Sequence, residues 1–333
     1  MTKPLLPPGG GYKREIAAFL LDRGLAGVPE TFLLEGVRHP KFSTDEPKRG
    51  SVQKFIENVG DSSSVGSSRY SVCDVHNIGI LDIRLYNLDR NEENILVQKV
   101  EPQDPMCITP PKEAPASCCA SPMMVSPPPS PQPQPNPLST SANRSSRAFS
   151  SYTRPSLPQS APTHTRMSRA ISSPTPTASP SYRLVPIDHT YTLPTNFNEG
   201  VYFEWQYWKQ AKEPFSNQHL EVIKNLDPSA DAKILRELEI EEEAIRIMMF
   251  SSWLLKIGAE HGMSLFEIAS MMTKTVKEPS FLETMVLNLK KLLLESETDN
   301  LTTEEFIVEF IRYAHTQVPL FKEKLRKKGS GTK

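Results

Sequence analysis

Leu81-Asp82-Ile83-Arg84-Leu85-Tyr86-Asn87-Leu88-Asp89-Arg90-Asn91-Glu92-Glu93-Asn94-Ile95-Leu96-Val97 carries an apolar helix end into a polar loop and out into a short β-branched run. Phosphoryl transfer calls for such a layout. An Asp faces the attacking hydroxyl and an Asn five residues on holds Mg²⁺ beside the nucleotide phosphates, both on one rigid loop between helix and strand. Asp89 and Asn94 have that spacing. Asp and Asn are also common turn residues, so on the pattern alone an ordinary turn stands beside this reading.

A second acidic stretch, Leu184-Val185-Pro186-Ile187-Asp188-His189-Thr190, delivers one Asp at the end of a short apolar run. Oxygen donors from Asn94 and Asp188, with phosphates and water, complete the octahedral shell that Mg²⁺ demands. The alternative is a strand-end Asp satisfying turn amides.

Upstream of the Asp89 loop, Ser71-Val72-Cys73-Asp74 fits a capping box. Val75, Ile78, Leu81 and Leu85 then form an apolar stripe at helical spacing, and His76 beside it reads as a satisfied histidine. Residues 13 to 22 carry Ile16, Phe19 and Leu20 on one face, with Gly24 as a left-handed stop, and Thr31 to Leu34 read as a strand. Residues 51 to 58 suit a helix turn through Val52, Phe55 and Ile56, or a hinge.

Downstream, capping boxes recur at Ser264–Glu267, Ser280–Glu283 and Thr302–Glu305. Ile245, Met248, Met249, Trp253 and Leu254 predict one buried face, and Phe281, Met285, Leu289 and Leu292 another, so the C-terminal region is expected to be all helical. Such Met stripes are core packing rather than a cofactor box.

Between Glu101 and Arg183 the chain turns to Pro, Ser and Thr, and few apolar side chains remain to offset the entropy of ordering. The expectation is a disordered insertion. Its one acid after Pro105 is Glu113, against Lys112 and six arginines through Arg183. It reads as a solvated linker or as a phosphorylated or lipid-contacting tether; Arg169 three residues before Ser172 makes Ser172 a candidate for a phospho-dependent partner.

A formal charge of −1 gives no global field for nucleic acid. Cys73, Cys107, Cys118 and Cys119 lack metal spacing, which makes a zinc site or a disulfide framework improbable and a reducing, cytoplasmic setting the expectation. No run approaches the ~20 apolar residues of a membrane span. A soluble or peripheral protein is expected, with Leu320, Phe321 and Leu325 among the closing cations as a possible contact with an anionic membrane surface.

Taken in order, Glu15–Asp22, Ser51–Ile56, Val75–Arg84, Asn87–Asn94, Pro186–His189, Tyr202–Trp205 and Pro214–Ser216 resemble the phosphatidylinositol 3-/4-kinase catalytic domain, most closely the plant gamma-type phosphatidylinositol 4-kinases. The resemblance covers about residues 10–100 and 184–275. It implies an α+β, protein-kinase-like two-lobed fold with a truncated N-terminal lobe and a mostly helical C-terminal lobe. Residues 1–100 would hold the partial N-terminal lobe, hinge and catalytic loop, and 101–183 the insertion. Residues 184–326 would hold the metal-binding and activation loop with the helical lobe, and 327–333 a basic tail.

The implied activity moves the γ-phosphate of MgATP to an inositol hydroxyl of phosphatidylinositol. Asp89 would orient or deprotonate that hydroxyl, Arg90 would steady the loop or approach phosphate, and Asn94 and Asp188 would hold Mg²⁺. Glu15 matches the family's helix acid, Lys3 either its ATP lysine or a chance Lys-Pro, and Gln53 and Phe55 its adenine-contacting hinge. The departures are the absence of an evident Gly-rich phosphate hairpin, Asn91 where the family usually has His, and Thr190 where it usually has Gly. Two rivals stand beside this reading. One is a protein kinase of the same fold, which would carry Lys where Asn91 stands; the other is a pseudokinase or partial gene product acting as a binding module.

Overall fold

Helix α1 (Gly11–Asp22) buries Ile16, Ala17, Ala18 and Leu21, and it stops where Arg23 and Gly24 turn left-handed, at φ 50° and 78°. The computed structural model describes residues 5–38, 41, 46–100, 181–275, 278–296 and 301–330. Lys3, Ser172 and the insertion from 101 to 180 lie outside them.

Strands β1 (Thr31–Val37) and β2 (Lys48–Gln53) pair antiparallel, with Thr31 opposite Gln53. The helix-turn reading of 51 to 58 therefore gives way to a strand end followed by irregular backbone. That backbone runs beside β3 (Ile95–Val100), where the Val59 N–H donates to the Val97 carbonyl and the Val97 N–H to that of Gly60, both at 2.8 Å. Strand β3 pairs antiparallel with β4 (Ser181–Pro186) over the full ladder from Ile95–Pro186 to Val100–Ser181. Residues 181 to 183, expected in the insertion, thus belong to a strand. Pairing across the whole length of β3 holds them there, an effect that composition does not register.

Helix α2 (Val72–Leu85) begins at Ser71, whose hydroxyl accepts the Asp74 N–H at 2.9 Å, and every residue from Asp74 on is buried. A helix buried all round must be the centre of its domain. Helix α5 (Glu242–Glu260) packs along it, and α6 (Leu265–Ser270) crosses it so closely that a Cβ on Gly79 would sit 2.3 Å from Leu265 Cδ2. Around these stand α3 (Asn217–Lys224), α4 (Pro228–Glu237), α7 (Phe281–Glu295) and α8 (Thr303–Ser330).

Capping drives these helix starts as expected. Ser264 and Glu267 form the reciprocal box, Ser280 accepts the Glu283 N–H, and Thr302 and Glu305 cap α8. Ile245, Met248, Met249 and Leu254 are buried, with Trp253 packed at the margin. On α7 the buried stripe is Leu282, Met285, Val286 and Leu289, whereas Leu292, expected inside, is 50% exposed. Helix α8 runs unbroken past the boundary expected at 326, and Glu323 and Lys327 pair on it at 2.8 Å. The result is a mixed fold of packed helices and two small antiparallel sheets. No helix among the described residues is long and apolar enough to cross a membrane.

Against α2 lies a buried polar cluster. His76 Nε2 contacts the Gln210 carbonyl at 3.0 Å, and His219 contacts Asn77 Oδ1 at 3.1 Å and Ser216 Oγ at 2.8 Å. Cys73, next to it, has its Sγ 3.9 Å from His219 Nε2 and 3.7 Å from Asn77 Nδ2. Burial, reinforced by the His76 ring 5.2 Å away, pushes the His219 imidazole down to about 4. Because the unfolded chain takes up that proton first, its stabilising contribution is present above pH ~6.5 and is lost as pH falls toward 4. Burial of Asp74 raises its carboxyl to about 6 and acts in the opposite sense, so wild type must be compared with a variant at the same pH. The urea-unfolding stability of wild type relative to His219→Gln should fall between pH 7 and 4.5. A pH-independent difference would show that His219 is not held neutral.

Candidate active site

Helix α2 ends abruptly. Tyr86 turns left-handed at φ 49°, and the Asn87 N–H closes back onto the Asp82 carbonyl at 2.9 Å. This reversal aims the next residues back at the helix end they left. Arg90 Nε then lies 3.1 and 3.0 Å from the two Asp82 carboxylate oxygens, and its Nη2 donates to Oδ1 at 3.0 Å. Asn87 Nδ2 and Trp205 Nε1 also donate to Asp82, each at 2.9 Å. Asp82 and Arg90 are both 0% exposed. A buried carboxylate is tolerable only when so fully paired.

The remaining Arg90 nitrogen joins the two stretches singled out above. Its Nη1 donates to the carbonyls of Asn94 and Ile187, both at 2.7 Å. The Ile187 N–H also donates to the Asn94 carbonyl at 3.0 Å, extending the β3–β4 register so that Asn94 stands opposite Ile187. Asp188 follows directly. Asn94 Nδ2 donates to the Asp89 carbonyl at 3.0 Å. Asp89 and Asn94 on one loop and Asp188, about ninety residues on, therefore gather at one end of the β3–β4 pair. Of the two roles considered for Arg90, the buried guanidinium supports the steadying one.

Asp89 is half-buried, and Asn91 Nδ2 donates to its Oδ1 at 3.1 Å. Asn91 Oδ1 also accepts the Asn94 N–H at 3.2 Å, so a residue that departs from the family pattern ties both site residues together. Asp188 is exposed with φ 49°, and its Oδ1 accepts the Thr190 N–H at 3.3 Å. Left-handed backbone costs roughly 1–2 kcal/mol outside Gly, which Asp offsets by this local hydrogen bond.

The segment after Asp188 returns to the same loop. The Leu88 N–H donates to the Tyr191 carbonyl at 2.9 Å, the Arg90 N–H to that of Tyr202 at 3.0 Å, and Phe203 pairs with Arg90 in a parallel bridge. Phe203 stacks on Trp205 at 4.7 Å, covering the Asp82 hub.

The residues expected around the nucleotide have the following surroundings. Glu15 reaches the loop after Asp188: its Oε1 accepts the His189 N–H at 2.8 Å and the Thr190 hydroxyl at 3.0 Å. Burial pushes its carboxyl up, but these bonds and the nearby His189 ring outweigh that and leave it below the usual carboxylate range. Gln53 donates to Thr31 Oγ1 at 2.9 Å, across the β1–β2 pair. Phe55 is 82% exposed, without a packing role.

Asp82, Asn87, Asn91 and Trp205 were not among the expected site residues. The available signal was a carboxylate between Leu81 and Ile83 in the apolar C-terminal half of the helix. Such a residue needs a buried cation, and Arg90 is the next one beyond the helix.

A clamped polar loop beside a hairpin end, on a mostly helical body, is the layout expected of a kinase-class chain. Comparison with known proteins gives the family. A model described as phosphatidylinositol 3- and 4-kinase matches residues 6–268, and the chain belongs to that family. It is 30% identical over 322 residues to phosphatidylinositol 4-kinase gamma 3 of Arabidopsis thaliana, covering 90% of this chain and 42% of that protein. Phosphatidylinositol 4-kinase gamma 1 of the same plant is 32% identical, covering 86% and 41%. Phosphatidylinositol 4-kinase gamma 4 of Oryza sativa subsp. japonica is 28% identical, covering 91% and 41%. The chain thus spans about two-fifths of the length of these relatives.

Replacing Asp82 with Ala strands a buried guanidinium and should cost about 3–5 kcal/mol. Urea unfolding followed by tryptophan fluorescence reads this directly. A loss below about 1 kcal/mol would mean that the pair holds nothing together.

Proposed function

We propose that this chain forms the phosphotransfer site of a phosphatidylinositol kinase on a two-lobed, kinase-like fold, acting with MgATP on the 4-hydroxyl of the inositol ring. One observation carries the reading. Asp89 and Asn94 share a clamped loop, and the β3–β4 register sets Asn94 opposite Ile187, next to Asp188. The lipid and the ring position come from the printed names of the relatives. Segment 54–60, between the β1–β2 sheet and β3, suits the hinge of such a fold.

The donors fit a hard cation. Among the described residues no group of three or more His, Cys, Asp or Glu is placed to hold a metal. Mg²⁺ needs none, since it takes one or two protein oxygens plus phosphate and water. Asn94 and Asp188 would hold it. Bound MgATP supplies the phosphoryl group and neutralises its charge. Asp89, oriented by Asn91 at Oδ1, lines up the acceptor hydroxyl and takes its proton. Arg90 stays behind the loop as its brace. Exposed Leu320 beside Lys324 on α8, next to the Glu323–Lys327 pair, supports contact with an anionic bilayer.

Asp89→Asn should lower kcat by about 10²–10⁴-fold on phosphatidylinositol vesicles, with unchanged circular dichroism and unfolding midpoint. Equal turnover by wild type and variant would remove Asp89 from the chemistry. Folded wild type without turnover on lipid or protein acceptors would favour the binding-module rival.

A further inference from the structure

One departure from the family pattern lies against the start of α1. Thr190 stands where the resembling kinases usually have Gly, and its methyl lies where a Cβ on Gly11 would approach it to 3.2 Å. A Cβ at the first residue of α1 would require the threonine methyl to shift by a few tenths of an ångström. That seating turns the hydroxyl onto Glu15 Oε1 at 3.0 Å, and the same oxygen accepts the His189 N–H at 2.8 Å. The helix acid thus grips both residues after Asp188.

Helix α1 is itself fixed to the helical body. Arg23, at its C-terminus, pairs with buried Asp231 at 2.7 Å, and Lys13 pairs with Glu239 at 2.9 Å. Glu15 therefore transmits a rigid position to the loop. Asp188 needs one, because it is exposed, left-handed and, among the described residues, held by the Thr190 N–H at 3.3 Å. His189 is fully buried, and its ring Nδ1 lies 3.7 Å from Glu15 Oε2, so the same carboxylate also faces the imidazole.

We propose that Glu15 and Thr190 form a latch, with Glu15 as a positioning residue that holds the Asp188 carboxylate at the metal site through His189 and Thr190. The inference rests on Asp188 being a metal ligand, as argued above. Oε1 does the gripping, so an amide in its place keeps the acceptor while an alanine loses it.

The test uses the full chain and two readouts. Amide hydrogen exchange of the protein without nucleotide should accelerate at His189 in Glu15→Ala and remain slow in Glu15→Gln. Mn²⁺ affinity in the presence of ATP, read by electron paramagnetic resonance, should drop about 10–100-fold in Glu15→Ala, the usual cost of losing a group that orients a metal ligand. Thr190→Val, which keeps the contact with Gly11, should show a smaller drop, and Glu15→Gln should restore most of the affinity. If Glu15→Ala folds, exchanges and binds Mn²⁺ like wild type, the latch is wrong. If wild type takes up no Mn²⁺ with ATP, the functional reading fails and this inference falls with it.

Discussion

The Asp82–Arg90 pair is the contact on which the candidate site depends. One guanidinium neutralises the only carboxylate in the last turn of α2 and also bridges two backbone carbonyls, on Asn94 and Ile187. Backbone carbonyls carry no information about side chains, so the loop residues can vary while their positions do not. The pair lies at zero exposure, where replacing either partner leaves the other charge stranded. Trp205 adds an indole N–H and an aromatic cover, which ties the segment after Asp188 into the same hub.

A second ion-pair centre does for α1 what Asp82 does for the loop. Asp231 is buried and accepts from Arg84 and Arg23, each at 2.7 Å, while Arg84 also donates to the Leu21 carbonyl at 2.9 Å. Arg84 lies one turn from the Asp89 loop on α2, so both centres are built on the same helix. Asp22 completes the turn after α1 by accepting the N–H groups of Ala26, Gly27 and Val28. The helix carrying Glu15 is thereby referenced to the helix that presents Asp89.

What was legible in the sequence was local. Helical spacing marked Val75, Ile78, Leu81 and Leu85, and the Ser and Thr caps marked where α6, α7 and α8 begin, because both signals act within one or two turns. Asp89, Asn94 and Asp188 became candidates through spacing joined to family resemblance. The Asp82 hub was not, since its indole partner is 123 residues away and its guanidinium partner lies beyond a chain reversal. Leu292 misled because an apolar stripe says which face can be buried, not whether a neighbouring helix reaches that far. The start of β4 was missed because pairing with β3, not composition, decides it.

The central claim is that this clamp gathers Asp89, Asn94 and Asp188 into one MgATP site. Paramagnetic relaxation by Mn²⁺, titrated into the ¹⁵N-labelled chain with ATP, tests it most directly. Amide signals of residues 88–94 and 187–190 should broaden first and together. Sharp signals on either segment, or broadening centred elsewhere, would contradict the claim.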